Sequence, residues 1–439
     1  MKEEYILETF DITPRKLYME KIFHLLDNDN LIMVIGVRRS GKSCLAKQLE
    51  NELKEKFGDT IQLVRFNFEQ INAARISADD LIKYYQEQHV AGKKCYVLLD
   101  EVTHVVEWEK AINYISRDSD CKLILFSSNR RIISSELTAV RDNRYDTIHV
   151  LPLSLPEFIQ FQGFQETTPA DTPVWDKRYQ RFDERTYTLG EIYKYYITYG
   201  GLPIMKPEYM DEERAWVVAD GSYGAIVTRD VLEIGNVNGS STITDTVLLR
   251  SVITVMAKSI GDNISATWVG KQTAKYLQRP SSTRTIESYI RSLLNAHLFY
   301  IAERYDIRAG KPLKTLAKYY IVDASLHNYV TGIRAEDESR LLENKVFFEL
   351  LRRGYQVCNG KLGREEITLI ARNRQEKAYI QVASDSGEES IDHLISPLRR
   401  IRDNYPKSVI AFDRETQILP DGIIVLNALD FLMGGSWGR

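Results

Sequence analysis

A parallel α/β sheet carrying a phosphate-binding loop is the architecture that the N-terminal third of this 439-residue chain predicts. Three observations carry the expectation. The apolar run Leu31-Ile32-Met33-Val34-Ile35 leads directly into Gly36-Val37-Arg38-Arg39-Ser40-Gly41-Lys42-Ser43. A second strand-like run, residues 94–99, apolar from Cys95 onward, closes on Asp100-Glu101. Between and after them, strand-like and helix-like periodicities alternate, which predicts parallel strands joined by helices, with ligand outside the carboxyl ends of the strands.

Two glycines, a lysine and a hydroxyl at fixed offsets between a strand and a helix read as a P-loop. Gly36 and Gly41 let the backbone curl so that successive N–H groups point at phosphate oxygens without Cβ interference. The helix beginning near Lys42 aims its positive end at the same anion, Lys42 reaches the β and γ phosphates, and the Ser43 hydroxyl ligates Mg²⁺. The candidate nucleotide contacts are therefore Gly36, Val37, Arg38, Arg39, Ser40, Gly41, Lys42, Ser43 and Cys44, and the candidate cofactors are ATP and Mg²⁺.

The remaining elements of this half follow in order. Residues 62–66 form a β-rich run, 78–89 a helix, and 94–99 a strand ending in the acidic pair of a Walker B box. There Asp100 would hold Mg²⁺ through water and Glu101 would polarise the attacking water. A buried-looking strand over 122–126 runs into Ser127-Ser128-Asn129. Asn129 is either a polar contact to the γ-phosphate and nucleophilic water or the cap of the following helix, a position that Asn and Ser favour. Residues 147–151 supply the fifth strand.

Length predicts two to four domains. Hydrophobic content of 44%, charged content of 27% and a net charge of −3 describe a globular chain with no global signature of nucleic-acid or membrane binding. Cys44, Cys95, Cys121 and Cys358 are scattered without C-x-x-C pairs, which argues against a zinc site or a disulfide framework. The charged start Met1-Lys2-Glu3-Glu4 and the lack of any run of 18 apolar residues lead to the expectation of a cytoplasmic protein with no membrane partner.

The motifs form a series. Paired Arg38 and Arg39, Leu98-Leu99-Asp100-Glu101-Val102, Trp108, Ser128-Asn129, Arg144 and Leu151-Pro152-Leu153-Ser154-Leu155-Pro156-Glu157-Phe158 resemble a large prokaryotic family of AAA-type ATPases. The resemblance continues through Tyr199-Gly200-Gly201-Leu202-Pro203, Lys318-Tyr319-Tyr320-Ile321-Val322-Asp323, Leu342-Glu343-Asn344 and Tyr379-Ile380-Gln381-Val382, nearly the whole chain. It implies an ATP-hydrolysing engine and a C-terminal nuclease-like domain. Where the family has Gly-Arg this chain has Asn143-Arg144, and Arg144 is a candidate arginine finger, which if supplied in trans requires a homo-oligomer. Arg130 or Arg131 could fill that role instead, or Arg144 could form a surface salt bridge.

Downstream, residues 159–205 are polar and aromatic and read as a helical lid or connector, with a turn at Gly200-Gly201-Leu202-Pro203 and helices resuming over 212–230. Arg229 is either a second sensor of nucleotide state or an exposed helix arginine. Helices over 244–260, 268–277 and 283–296, followed by strands over 298–304 and 317–322, read as a winged helix. Arg284, Arg291, Arg308, Lys311 and Lys314 could meet phosphates, making DNA a candidate partner, while Glu287 and the use of such modules in protein contacts favour a protein partner.

Residues 339–439 alternate helix and strand in an order that resembles the restriction-endonuclease-like fold. Its usual acidic set is damaged: Glu343 and Glu366 remain, but Thr368, Gln381 and Ala383 stand where carboxylates and a lysine belong. Nuclease activity is not expected. The division that follows is a P-loop AAA-type ATPase domain at 1–158, a lid at 159–240, a winged helix at 241–335 and a degenerate nuclease-like α/β domain at 336–439.

Overall fold

The computed structural model describes residues 13–28, 30–69, 76–133, 145–206, 211–233, 243–383, 391–412 and 414–436. The chain divides into two compact units, Met1–Gly36 with Gly41–Val150, and Val37–Ser40 with Leu151–Arg439.

In the first unit, β1 (Leu31–Ile35), β2 (Gln62–Asn67), β3 (Cys95–Asp100), β4 (Cys121–Ser127) and β5 (Tyr145–His149) form one sheet in the order β2-β3-β4-β1-β5. Every pairing is parallel. The central strands are apolar at consecutive positions because both faces are covered. Leu31, Met33 and Ile35 pack with Leu81, Trp108 and Ile112 from helices Ala78–Gln88 and Trp108–Ile115. The alternate residues Ile32 and Val34 pack with Tyr18, Ile22, Leu45 and Leu49 from helices Lys16–Leu26 and Lys42–Phe57. The period-two alternation of a strand thus feeds two cores. β4 lies between β1 and β3, so the strand that leads into Ser128-Asn129 separates the loop strand from the Asp100 strand.

The fifth strand starts and stops two residues earlier than expected. Tyr145 pairs with Leu31 and His149 with Ile35, after which Val150 N donates to Ile35 O. Leu151, Leu153 and Leu155 then join the core of the second unit. The apolar run that suggested a strand through Leu151 therefore serves two cores.

In the second unit, residues expected to form only helices include a small antiparallel meander: β6 (Gln165–Glu166), β7 (Arg178–Gln180) and β8 (Thr186–Thr188). Thr and Tyr at 186–188 suit a strand, and Tyr179 and Tyr187 are buried on it. Helix Leu189–Tyr199 follows, opened by a capping box of Thr188 and Glu191. Helix Glu212–Ala225 continues into a π-helical stretch, Ile226–Glu233.

Helix Thr246–Lys258, β9 (Asn263–Ile264), helices Ala266–Leu277 and Thr283–Asn295, then β10 (Phe299–Asp306) and β11 (Lys311–Ile321) come next. β11 pairs antiparallel with both β10 and β9. Helices Ala324–Thr331 and Glu338–Arg352 lead to β12 (Gln356–Leu362), β13 (Glu365–Arg372), β14 (Lys377–Val382), β15 (Lys407–Ala411), β16 (Gln417–Ile418) and β17 (Ile424–Asn427). One nine-stranded sheet runs β16-β17-β15-β14-β13-β12-β10-β11-β9 and crosses the boundary drawn from sequence at 335/336. The join is parallel, Arg304 to Asp306 of β10 against Asn359 to Lys361 of β12. Helix Ile391–Arg399 carries Pro397 in its last turn, where a proline ends a helix.

The motif residues after position 150 bond to one another within this unit. Buried Asp323 accepts from Gly201 N at 2.6 Å and from Ser325 N at 3.0 Å. Asn344 Nδ2 donates to Ile321 O at 2.9 Å, Arg352 Nη2 to Pro152 O at 2.7 Å, and Tyr196 Oη to Leu153 O at 2.6 Å. Lys345 Nζ sits 3.5 Å from the centre of the Tyr196 ring. Burial lowers its pKa to about 8 against the attraction of Asp323.

Candidate nucleotide-binding site

β1 ends at Ile35 and the helix starts at Lys42, so residues 36–41 form the turn between them. Gly41 takes φ 92°, ψ 16°, a left-handed conformation natural to glycine, at the cap of the helix. Arg39 is also left-handed at φ 68°, a strained conformation for a residue with a Cβ. Gly36 N donates to Ser127 O at 3.2 Å, Ser40 N to Val37 O at 3.2 Å and Leu45 N to Gly41 O at 2.9 Å. Val37 and Ser40 are fully buried, and Cys44 is exposed on the first turn.

Lys42 Nζ donates to Gly36 O at 3.0 Å and lies 3.9 Å from Glu101 Oε1. Glu101 is 2% exposed and adopts φ 56° immediately after β3, the kind of local strain that marks functional positions. Its Oε2 accepts from Ser128 N at 3.1 Å, so the end of β4 orients the candidate base. Asp100 is 1% exposed, and neither of its carboxylate oxygens completes a hydrogen bond of ordinary geometry. Burial and then the Glu101 charge raise its pKa to about 7, against the Ser43 hydroxyl and Lys42, which favour the charged form.

A buried carboxylate with unsatisfied oxygens beside a serine hydroxyl is a hard-oxygen donor set suited to Mg²⁺. Among the described residues no cluster of three His, Cys, Asp or Glu side chains is placed to hold a metal. Ser43 and Asp100 would therefore share the cation with phosphate oxygens and water, its usual preference.

The other candidates are placed as follows. Asn129 Oδ1 accepts from Arg131 N at 2.9 Å and caps the short turn Arg130–Ile132, the geometry of the capping alternative. Arg130 is exposed; Arg131 is half-buried, and desolvation lowers its pKa. Arg144 lies outside the described residues. Arg229 is exposed on the π-helical stretch. The side chains of Arg38 and Arg39 are held by Asp230 and Ser222, partners for which the sequence carried no signal: Arg38 Nε and Nη2 donate to Asp230 Oδ2 and Oδ1 at 3.0 and 2.9 Å, and Arg39 Nη1 to Ser222 Oγ at 2.9 Å.

In the second unit, the residues matched to a nuclease site bond to one another. Glu343 Oε1 accepts from Lys318 Nζ at 2.9 Å and Tyr320 Oη at 2.7 Å. Glu366 Oε1 pairs with Arg304 Nη2 at 2.6 Å. Gln381 Oε1 accepts from Thr368 N and Oγ1, and Gln381 Nε2 donates to Glu366 O.

The chain is similar to several known proteins. Residues 28–159 match a family described as AAA domain, and residues 190–337 match a domain of unknown function, DUF8612. An uncharacterized protein of Haemophilus influenzae is 32% identical over 95% of this chain and 98% of its own length. An uncharacterized protein of Methanocaldococcus jannaschii is 25% identical over 80% of this chain and 74% of its own. Among solved structures, Cdc6p from Pyrobaculum aerophilum is 11% identical, with a TM-score of 0.30 over 75% of this chain and 96% of that one.

A parallel sheet with its P-loop between the first strand and helix, and an acidic pair two strands away, defines an AAA-type P-loop ATPase. The chain belongs to the same family as the Haemophilus protein, which it matches nearly end to end.

Proposed function

We propose that this chain binds ATP with Mg²⁺, hydrolyses it, and couples nucleotide state to assembly or to remodelling of DNA or a DNA-bound partner. The observation that carries the proposal is the convergence, within the first unit, of Lys42, Asp100 and a left-handed Glu101 beside the loop, with Glu101 held by Ser128 N. Backbone N–H groups of the loop and Lys42 would bind the phosphates. Ser43 and Asp100 would hold Mg²⁺, which offsets developing phosphate charge. Glu101 would orient water and accept its proton.

The coupling rests on the second unit. We read residues 159–240 as a connector, 241–335 as a winged helix and 336–439 as a degenerate nuclease-like domain. The helix, short strand, two helices and hairpin of residues 246–321 support the winged helix. Arg284, Arg291, Arg308, Lys311 and Lys314 are all exposed and so available to phosphates. The Lys318 ammonium on Glu343 and the Thr368–Gln381 bonds support an inactive nuclease-like site, because the acid is already neutralised and the neighbouring positions offer no carboxylate.

A nucleotide switch with slow hydrolysis and protein partners is the second reading. It is favoured by the Asn129 amide oxygen, which caps a turn. Oligomeric mass and ATP turnover, measured with and without duplex DNA, separate the two. DNA-stimulated turnover whose binding weakens steeply with salt supports remodelling, and Arg284→Ala or Arg291→Ala should each reduce the salt slope by about one. ATP-dependent assembly with turnover indifferent to DNA supports the switch. No nucleotide binding at all overturns both.

A further inference from the structure

Two consecutive loop arginines grip one helical segment. Arg38 meets Asp230 through a fork of two parallel hydrogen bonds, 3.0 and 2.9 Å, with side-chain exposures of 5% and 0%. Arg39 reaches Ser222 eight residues earlier on the same continuous run, Glu212–Ala225 and Ile226–Glu233. The stretch that holds Asp230 is π-helical, a rare geometry that places a side chain where an α-helix would not and recurs at functional sites. Bidentate pairing of guanidinium with carboxylate fixes orientation as well as distance.

A guanidinium in a phosphate cradle would ordinarily be read as a phosphate ligand. Here its Nε and Nη2 face Asp230, and the carboxylate offsets its charge. What the fork constrains is the backbone of residues 37–40, a stretch of the loop whose Ser40 N–H already closes on Val37 O and which would have to be in place before phosphate arrives. Preorganised donors bind anions without a reorganisation cost at the moment of binding. We propose that Asp230 is a positioning residue for nucleotide binding: it holds Arg38, and through Arg38 the phosphate-facing backbone of the loop, rather than touching nucleotide itself. This deepens, and rests on, the assignment of residues 36–43 as the ATP site.

The test is calorimetric titration of the full chain with ATP and with ADP, beside steady-state turnover. Asp230→Ala should weaken nucleotide binding by roughly ten- to a hundredfold, raising KM in parallel while kcat changes by less than about threefold. Arg38→Ala should match it, and the double variant should be no weaker than either single one, because both remove the same fork. Should Asp230→Ala fail to fold, Asp230→Asn keeps the shape and a neutral hydrogen bond, and its affinity should fall between wild type and Arg38→Ala. Wild-type affinity in a folded Asp230→Ala or Asp230→Asn protein, or additive losses in the double variant, overturns the positioning role. Lys42→Ala separates the layers. If it binds ATP as wild type does, the ATP-site assignment fails; if it loses ATP while Asp230→Ala keeps it, only the positioning role fails.

Discussion

Gly200→Ala should damage the second unit far more than a glycine substitution normally does. Gly200 closes helix Leu189–Tyr199 at φ 79°, ψ −176°, a region that residues with a Cβ essentially never occupy. An added Cβ would also stand 1.9 Å from Asp323 Oδ1 and 2.9 Å from Ser325 Cβ. Asp323 cannot yield freely, because it accepts from buried Gly201 N and from Ser325. Backbone strain costs about 1–3 kcal/mol. Displacing Asp323 strands at least one buried donor, worth about 1–3 kcal/mol more. The expected loss is therefore about 2–6 kcal/mol, a large share of ordinary domain stability. Gly224→Ala is the internal control. It lies inside helix Glu212–Ala225 with nothing within 4 Å of the new Cβ, so a gain of about 0.5–1 kcal/mol is expected. Thermal melting of both variants, with hydrogen exchange followed on peptides spanning 196–203 and 321–328, reads the difference. Equal melting of the two, with unchanged protection of those peptides, would refute the reasoning.

Two further outcomes follow from buried charges. Lys345 titrates at about 8 when folded and near 10.5 when unfolded, so between those values the unfolded chain binds more protons and stability rises with pH. Wild type should accordingly gain on Lys345→Met by up to about 1.4 kcal/mol per pH unit above pH 8, measured by denaturant unfolding from pH 7 to 10; a constant difference would contradict the burial of this ammonium. Asp100→Asn removes a carboxylate whose charged form burial disfavours, so the nucleotide-free protein should melt higher than wild type at pH 8. The same variant should lose the extra melting temperature that Mg²⁺ adds to the ATP complex. Retention of that increment would remove Asp100 from the cation site.

Much of the first unit was legible because its signals are local. The continuous apolar runs of β1 and β3, closing on glycine and on acid, specify strand, loop and site together, and that of β4 specifies the strand between them. The fifth strand was misplaced by two residues because Val150 and Leu151 are apolar for different cores. The meander β6-β7-β8 has no sequence signal because strands of two or three residues leave almost no periodicity. The motif at 199–203 was visible as residues and opaque as chemistry: what Gly201 needs is Asp323, 122 positions away. Arg38 is the sharper case, since its partner lies 192 residues downstream in a stretch without a motif.

The most direct measurement is ATP binding and turnover by wild type, Lys42→Ala and Glu101→Gln side by side, with Mg²⁺. Wild type should bind and hydrolyse ATP, Lys42→Ala should lose binding, and Glu101→Gln should bind ATP while turnover falls about a hundredfold or more, the scale of a lost general base. Turnover by Glu101→Gln at the wild-type rate, or unchanged ATP binding by Lys42→Ala, would contradict the assignment of this loop and its acidic pair as the hydrolysis site.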